Sequence, residues 1–148
     1  MLWSTPVALV TGATGTQSFA SQSIWYNGAT WTLMSHNADN AAWPVERRTS
    51  TTSDIYSAYS AGSTVTPTPA SGRKWWHSWA ARQIDGSVIA IFQDNNGTTG
   101  ASGRLYIGHS GDDGATWSRR RILGTGEDYY RSTLLLRRDG RADLIASV

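Results

Sequence analysis

Two short runs hold residue types suited to recognising a sugar. Trp75-Trp76-His77 and Tyr129-Tyr130-Arg131 each end nine residues before the glycine of an Asp-Gly pair, Gly86 and Gly140. Aromatic side chains offer broad apolar faces on which a sugar ring stacks. A guanidinium grips a carboxylate through two parallel hydrogen bonds. Opening a glycosidic bond further needs a proton donor and a base or nucleophile, commonly a pair of carboxyl groups. The carboxylates in comparable connecting segments are Asp39, Asp94, Glu127 and Asp128. Asp39 or Asp94 is a candidate general acid, and Glu127 stands close to the Tyr129-Tyr130 pair. Structural roles compete for the same residues. Arg131 has ion-pair partners at hand in Glu127 and Asp128, His77 suits a hydrogen-bonded strand position, and a loop Asp commonly caps its own turn.

The elements that would position these residues are hairpins. Segments 21–34, 79–92 and 133–146 each join two β-rich runs through Asn-Gly or Asp-Gly, a pair that tolerates the positive φ a tight hairpin demands. The turn glycines Gly28, Gly86 and Gly140 are 58 and 54 residues apart. Trp3-Ser4 with Thr11-Gly12 matches Trp117-Ser118 with Thr125-Gly126 at a constant offset of 114. A repeat of roughly 57 residues follows. One repeat reads as four antiparallel strands, A over 77–83, B over 87–94, C over 103–109 and D over 117–123. That is the make-up of a propeller blade. The chain therefore reads as all-β, about two and a half blades: a strand D in 1–11, a blade over 17–66, a blade over 75–124 and a half blade over 129–148. Loops 12–18, 62–76, 124–130, 35–44 and 94–102 fall on one face of such a fold, and the A–B and C–D turns on the other.

Between strands C and D lies Ser110-Gly-Asp-Asp-Gly-Ala-Thr-Trp117. It fits the pattern S-x-D-x-G-x-T-W and resembles the Asp-box, or BNR repeat, of sialidase-like β-propellers. Asp112 is suited to accepting turn N–H groups, Gly114 to a conformation closed to residues with a Cβ, and Trp117 to anchoring strand D. Ser110 and Thr116 add hydroxyls. The preceding repeat offers only a degraded counterpart at Arg48–Tyr56. The resemblance implies a six-bladed ring when complete. It also implies a structural role for the box, on the face opposite the substrate, and no catalytic role for Asp112 or Asp113. It casts Arg131 as a clamp for a substrate carboxylate, with Trp75, Trp76, His77, Tyr129 and Tyr130 lining the binding face. The early arginine segment and complete arginine triad of the family are missing. An extracellular or virion-associated setting is implied, although the N-terminus lacks a signal peptide's basic start and apolar run.

Val7-Ala-Leu-Val-Thr-Gly-Ala-Thr-Gly15 imitates a dinucleotide-binding turn. It has Ser18 at an expected glycine position and no βαβ alternation after it. The net charge is +2, with Lys74 the single lysine and no cysteine. Disulfides and thiol chemistry are therefore excluded, and neither a nucleic-acid nor a membrane partner is indicated. No cofactor or metal is expected. The partners expected are a glycan, together with either further copies of the chain or the remainder of a longer one to complete the propeller. Three functions remain open: a sialidase-like hydrolase, a non-catalytic glycan-binding or structural propeller of adhesion or phage-tail type, and a five-bladed arabinanase- or fructosidase-like glycosidase.

Overall fold

The structure is a computed structural model that describes residues 19–37, 43–68, 72–95, 104–121, 131–139 and 141–147. The chain is all-β in these residues, and every sheet is antiparallel. The first sheet takes β1 (Phe19–Tyr26), β2 (Trp31–Asn37), β3 (Val45–Thr49) and β4 (Ser63–Thr64) in chain order. The second takes β5 (Lys74–Arg82), β6 (Val88–Asn95), β7 (Arg104–Ser110) and β8 (Ser118–Arg121). The third is a pair, β9 (Arg131–Leu136) and β10 (Ala142–Ser147). Among the described residues no sheet closes on itself. The expected strand D of residues 1–11 lies outside the described residues.

Local chemistry explains the hairpins. Gly28 and Gly86 adopt φ of 103° and 90°, conformations that residues with a Cβ rarely reach. The neighbouring side chains brace the turns: Asn27 Oδ1 accepts the N–H groups of Ala29 and Thr30, at 2.9 and 2.8 Å. Asp85 Oδ1 accepts the N–H of Ser87 at 2.9 Å. The four strands expected at 77–83, 87–94, 103–109 and 117–123 form at 74–82, 88–95, 104–110 and 118–121. In the first sheet the segment between β3 and β4 is irregular. Ser50 accepts the Trp31 N–H through its Oγ at 2.8 Å, and the Trp31 indole donates to the Ser53 carbonyl at 3.0 Å.

The core lies between sheets. Trp25, Met34 and Val45 of the first sheet meet Trp75, Ala80, Val88, Ala90 and Phe92 of the second, with Tyr106 and Trp117 packed alongside. Ile91 and Leu105 meet Leu134 of the third sheet, flanked by Trp79, Ile89, Ala142 and Leu144. Strand β5 packs on β1 on one side and on β9 on the other. The sequence reading placed Trp75 on a ligand surface, and the structure corrects this. Trp75 is 4% exposed, edge-on to Phe92 and Tyr106 at 6.2 and 5.8 Å, with its indole N–H on the Pro67 carbonyl at 3.0 Å. A β-bulge between Trp75 and His77 sets the side of β5 on which Trp75 packs. The extra residue changes which side of the strand each neighbour occupies.

Gly108 shows how tightly this layer is packed. A Cβ there would meet the Phe92 ring at 2.5 Å and the Trp117 indole at 2.9 Å. Gly108→Ala should lower unfolding stability by about 1–3 kcal/mol, the usual cost of overpacking a filled core. Urea denaturation followed by tryptophan fluorescence measures it, and an unchanged midpoint would contradict the packing described.

Candidate functional site

At one end of the sheets lie the hairpin turns and the Ser110–Trp117 box. The Asp112 carboxylate organises the box. Its Oδ1 accepts the Ser110 hydroxyl at 2.7 Å and the Thr116 N–H at 2.8 Å, and its Oδ2 accepts the Thr116 hydroxyl at 2.6 Å. Ser110 Oγ in turn accepts the Gly114 N–H at 2.8 Å. The Trp117 indole donates to the Gly114 carbonyl at 2.9 Å and meets Phe92 edge-on at 5.2 Å. Trp25 packs so close to Gly114 that a Cβ would stand 3.1 Å from its ring. The hydrogen bonds from Thr116 and Ser110 hold the Asp112 carboxyl at a pKa of about 2, well below the usual carboxylate range. A carboxyl whose folded pKa is depressed contributes stability above its unfolded pKa, and loses it as pH falls through the folded one. Stability should therefore be steady above about pH 4 and fall as pH drops towards 2. The fall should be shallower in Asp112→Asn, measured by urea denaturation across that range. An equally steep fall in the variant would contradict the assignment.

The adjacent Asp113, with φ of 57°, reaches across to the first sheet. Its carboxylate accepts the Trp25 indole N–H at 2.7 Å, the Thr32 hydroxyl at 2.7 Å and the Asn27 amide at 3.0 Å. Arg47 completes the set, at 3.0 Å to Oδ2 and, through Nε, 2.8 Å to the Asp113 carbonyl. Burial acts to raise the Asp113 pKa, but the bonds from Thr32, Trp25 and Asn27 and the Arg47 charge outweigh it and leave it lowered. Both aspartates of the box are thus committed to structure. Asp113 joins two sheets, a role absent from the sequence reading. Its partner Thr32 lies 81 residues away, so no local pattern signals it.

At the opposite end, where β2 runs into β3 and where β5 begins, a second constellation forms. Arg73 grips Asp94 in a fork, Nε to Oδ2 at 3.0 Å and the terminal nitrogen to Oδ1 at 2.7 Å, with that carboxylate 7% exposed. The hydrogen bonds that Arg73 donates to Asp94 raise the Arg73 pKa, against the lowering effect of burial. Lys74, next in the chain, carries its ammonium 4.6 Å from the centre of the half-buried Trp43 ring. Trp43 stacks parallel to the buried His36, centroids 5.6 Å apart. Trp43 has φ of 47° immediately before Pro44, a strained backbone of the kind that gathers at functional positions.

Of the residues expected to act on a sugar, Asp94 is at this end of the second sheet. Both of its carboxylate oxygens face Arg73, whereas a general acid must present a proton to the leaving oxygen. Trp75 is in the core. Trp76 and His77 belong to β5 and Arg131 begins β9, as Lys74 begins β5; the side chains of these three are not among those described. Asp39, Glu127, Tyr129 and Tyr130 lie outside the described residues. Arg73, Lys74, Trp43 and His36 were missed in the sequence. A signal for three of them was present: Arg73 and Lys74 directly precede the Trp75-Trp76 run, and Trp43-Pro44 directly precedes β3.

No protein-family model matches the chain, and no curated protein matches it. Among solved structures it is similar to a protein of unknown function from Dyadobacter fermentans, at 15% sequence identity and a TM-score of 0.58. The likeness covers 86% of this chain and 33% of that one, so the chain spans about a third of that protein's length. Similarity at this identity bears on the fold alone. The chain is an all-β protein of antiparallel sheets with Asp112 and Asp113 built into its framework.

Proposed function

We propose that this chain is part of a sialidase-like, Asp-box β-propeller that binds carbohydrate at the end carrying Trp43, Arg73 and Lys74, without hydrolysing it. Two consecutive sheets that each fold in chain order, with β5 packed on both β1 and β9, support the propeller part of this reading. The observation that carries the non-catalytic part is the Arg73 fork on Asp94. It occupies the candidate acid, at the same end as the Trp43 ring and the Lys74 ammonium that lies over it. Aromatic surface beside fixed polar groups suits sugar binding, since a sugar presents both an apolar face and hydroxyls.

A sialidase-like hydrolase is the second reading, favoured by Arg131, the expected carboxylate clamp, which begins β9. A glycan array combined with a fluorogenic sialoside separates the two. Binding without turnover is the expected result, weakened about tenfold in Trp43→Ala, the equivalent of about 1.4 kcal/mol. Sialoside turnover abolished by Arg131→Ala would replace binding with hydrolysis. Turnover of a neutral arabinoside or fructoside alone would move the chain to a five-bladed glycosidase. Binding to no glycan would remove the carbohydrate reading altogether.

A further inference from the structure

Two hairpins from neighbouring sheets come together at the end that carries the turns and the Ser110–Trp117 box. The β5–β6 hairpin contributes Arg82 and Ile84, and the β9–β10 hairpin Leu136, Arg137 and Arg138, to the lining of a cleft of about 520 Å³. Small organic ligands occupy clefts of this size. Each turn is braced by its own backbone. The Gln83 N–H donates to the Ser87 carbonyl at 2.7 Å, and the Arg137 N–H to the Arg141 carbonyl at 2.8 Å.

The charge in the cleft is one-sided. Among the described residues three guanidiniums line it and no carboxylate does. The carboxylates of the same hairpins are engaged elsewhere. Asp85 accepts the Ser87 hydroxyl at 2.7 Å, and Asp139 the Arg141 N–H at 3.1 Å. Asp143 pairs with Arg137 at 3.6 Å, both about half exposed. Arg82 and Arg138 have no ion-pair partner among the described residues. The Arg82 Nε is also buried and donates no hydrogen bond there. A buried donor without an acceptor is costly, and such groups are rare in folded proteins. The Arg82 guanidinium lies along its own turn, since a Cβ on Gly86 would stand 3.0 Å from its terminal nitrogen.

We propose that this cleft binds an organic phosphate, its phosphate group between Arg82 and Arg138 and its apolar part against Ile84 and Leu136. Guanidiniums bind phosphate oxygens through charge-assisted hydrogen bonds. A phosphate monoester carries close to two negative charges at neutral pH, one for each arginine that lacks a counter-ion. Ile84 is 90% exposed, so apolar ligand surface laid on it leaves water. The cleft lies at the end opposite Trp43 and Asp94, and the proposal does not depend on the carbohydrate reading.

Calorimetric titration of the full chain with phenyl phosphate, inorganic phosphate and benzoate tests this. Phenyl phosphate should bind more tightly than either of the others. Arg82→Gln and Arg138→Gln should each weaken it about tenfold, with unchanged circular dichroism spectra. Arg138 is exposed, so its replacement keeps the test decisive even if the loss of Arg82 disturbs the turn. Ile84→Ser should weaken phenyl phosphate and leave inorganic phosphate as it was. Absence of binding at millimolar phenyl phosphate, or binding indifferent to the Arg138 substitution, would overturn the site. Benzoate or inorganic phosphate bound as tightly as phenyl phosphate would overturn the assignment to an organic phosphate.

Discussion

Asp113→Ala should lower unfolding stability by about 3 kcal/mol and the midpoint of thermal unfolding by roughly 10 °C. The size follows from what the carboxylate leaves behind. Thr32 is fully buried and Trp25 is 6% exposed, so their hydroxyl and indole N–H would lose the acceptor at 2.7 Å with restricted access to water. A buried donor deprived of its partner costs about 1–3 kcal/mol. Arg47 would also lose its counter-ion. Asp113→Asn should cost less, since an amide oxygen still accepts from Trp25 or Thr32, but its N–H groups would oppose those of Asn27 and Arg47. Because the bonds run between sheets, the loss should appear as increased hydrogen exchange in both β1–β2 and the 110–117 turn. A change confined to the turn, or a loss under about 0.5 kcal/mol, would show that Asp113 is not the link between the sheets.

Arg73→Ala should be comparably costly, about 3–5 kcal/mol, because it strands the Asp94 carboxylate with 7% of its surface exposed. The pair by itself need not stabilise the fold, since taking two charges out of water offsets much of their attraction. The informative measurement is therefore a double-mutant cycle. Arg73→Met combined with Asp94→Leu should recover most of the stability lost in Arg73→Ala, as the site then holds apolar groups without an orphaned charge. If the double variant is as unstable as the single, the arginine contributes through packing and not through Asp94. Sugar binding gives a second readout. The stable double variant should keep the affinity set by Trp43 if Asp94 is a framework residue. If Asp94 acts on the substrate, affinity or turnover should fall with it.

Much of the local structure was legible in the residues. Asn27-Gly28 and Asp85-Gly86 announced their hairpins, because few residues accept the φ such turns demand. The four strands of the second sheet fell within a few residues of their expected places. The hydroxyl and carboxylate bonds of the box could be anticipated because Ser110, Asp112, Gly114 and Thr116 act within one turn of chain. Trp75 was placed wrongly for an equally definite reason. Its side of the strand depends on a single extra residue at the bulge before His77. A one-residue shift exchanges the two faces of a strand without changing its composition.

The amino-acid order by itself thus determined what is local: the hairpin turns, the strand periods and the internal bonding of the Ser110–Trp117 turn. Only the tertiary structure decided that Asp113 fastens the first sheet to the second, that Trp75 fills the core, and that Arg73 closes on Asp94. It also placed Lys74 over Trp43. These contacts join residues between 21 and 88 positions apart or follow from strand register. Short-range preferences fix backbone shape, whereas the partner of a buried charge or ring is set by whichever group packing brings within reach. The Ser110–Trp117 box was legible as a motif. Its second aspartate became a link between sheets only once the first sheet lay against it.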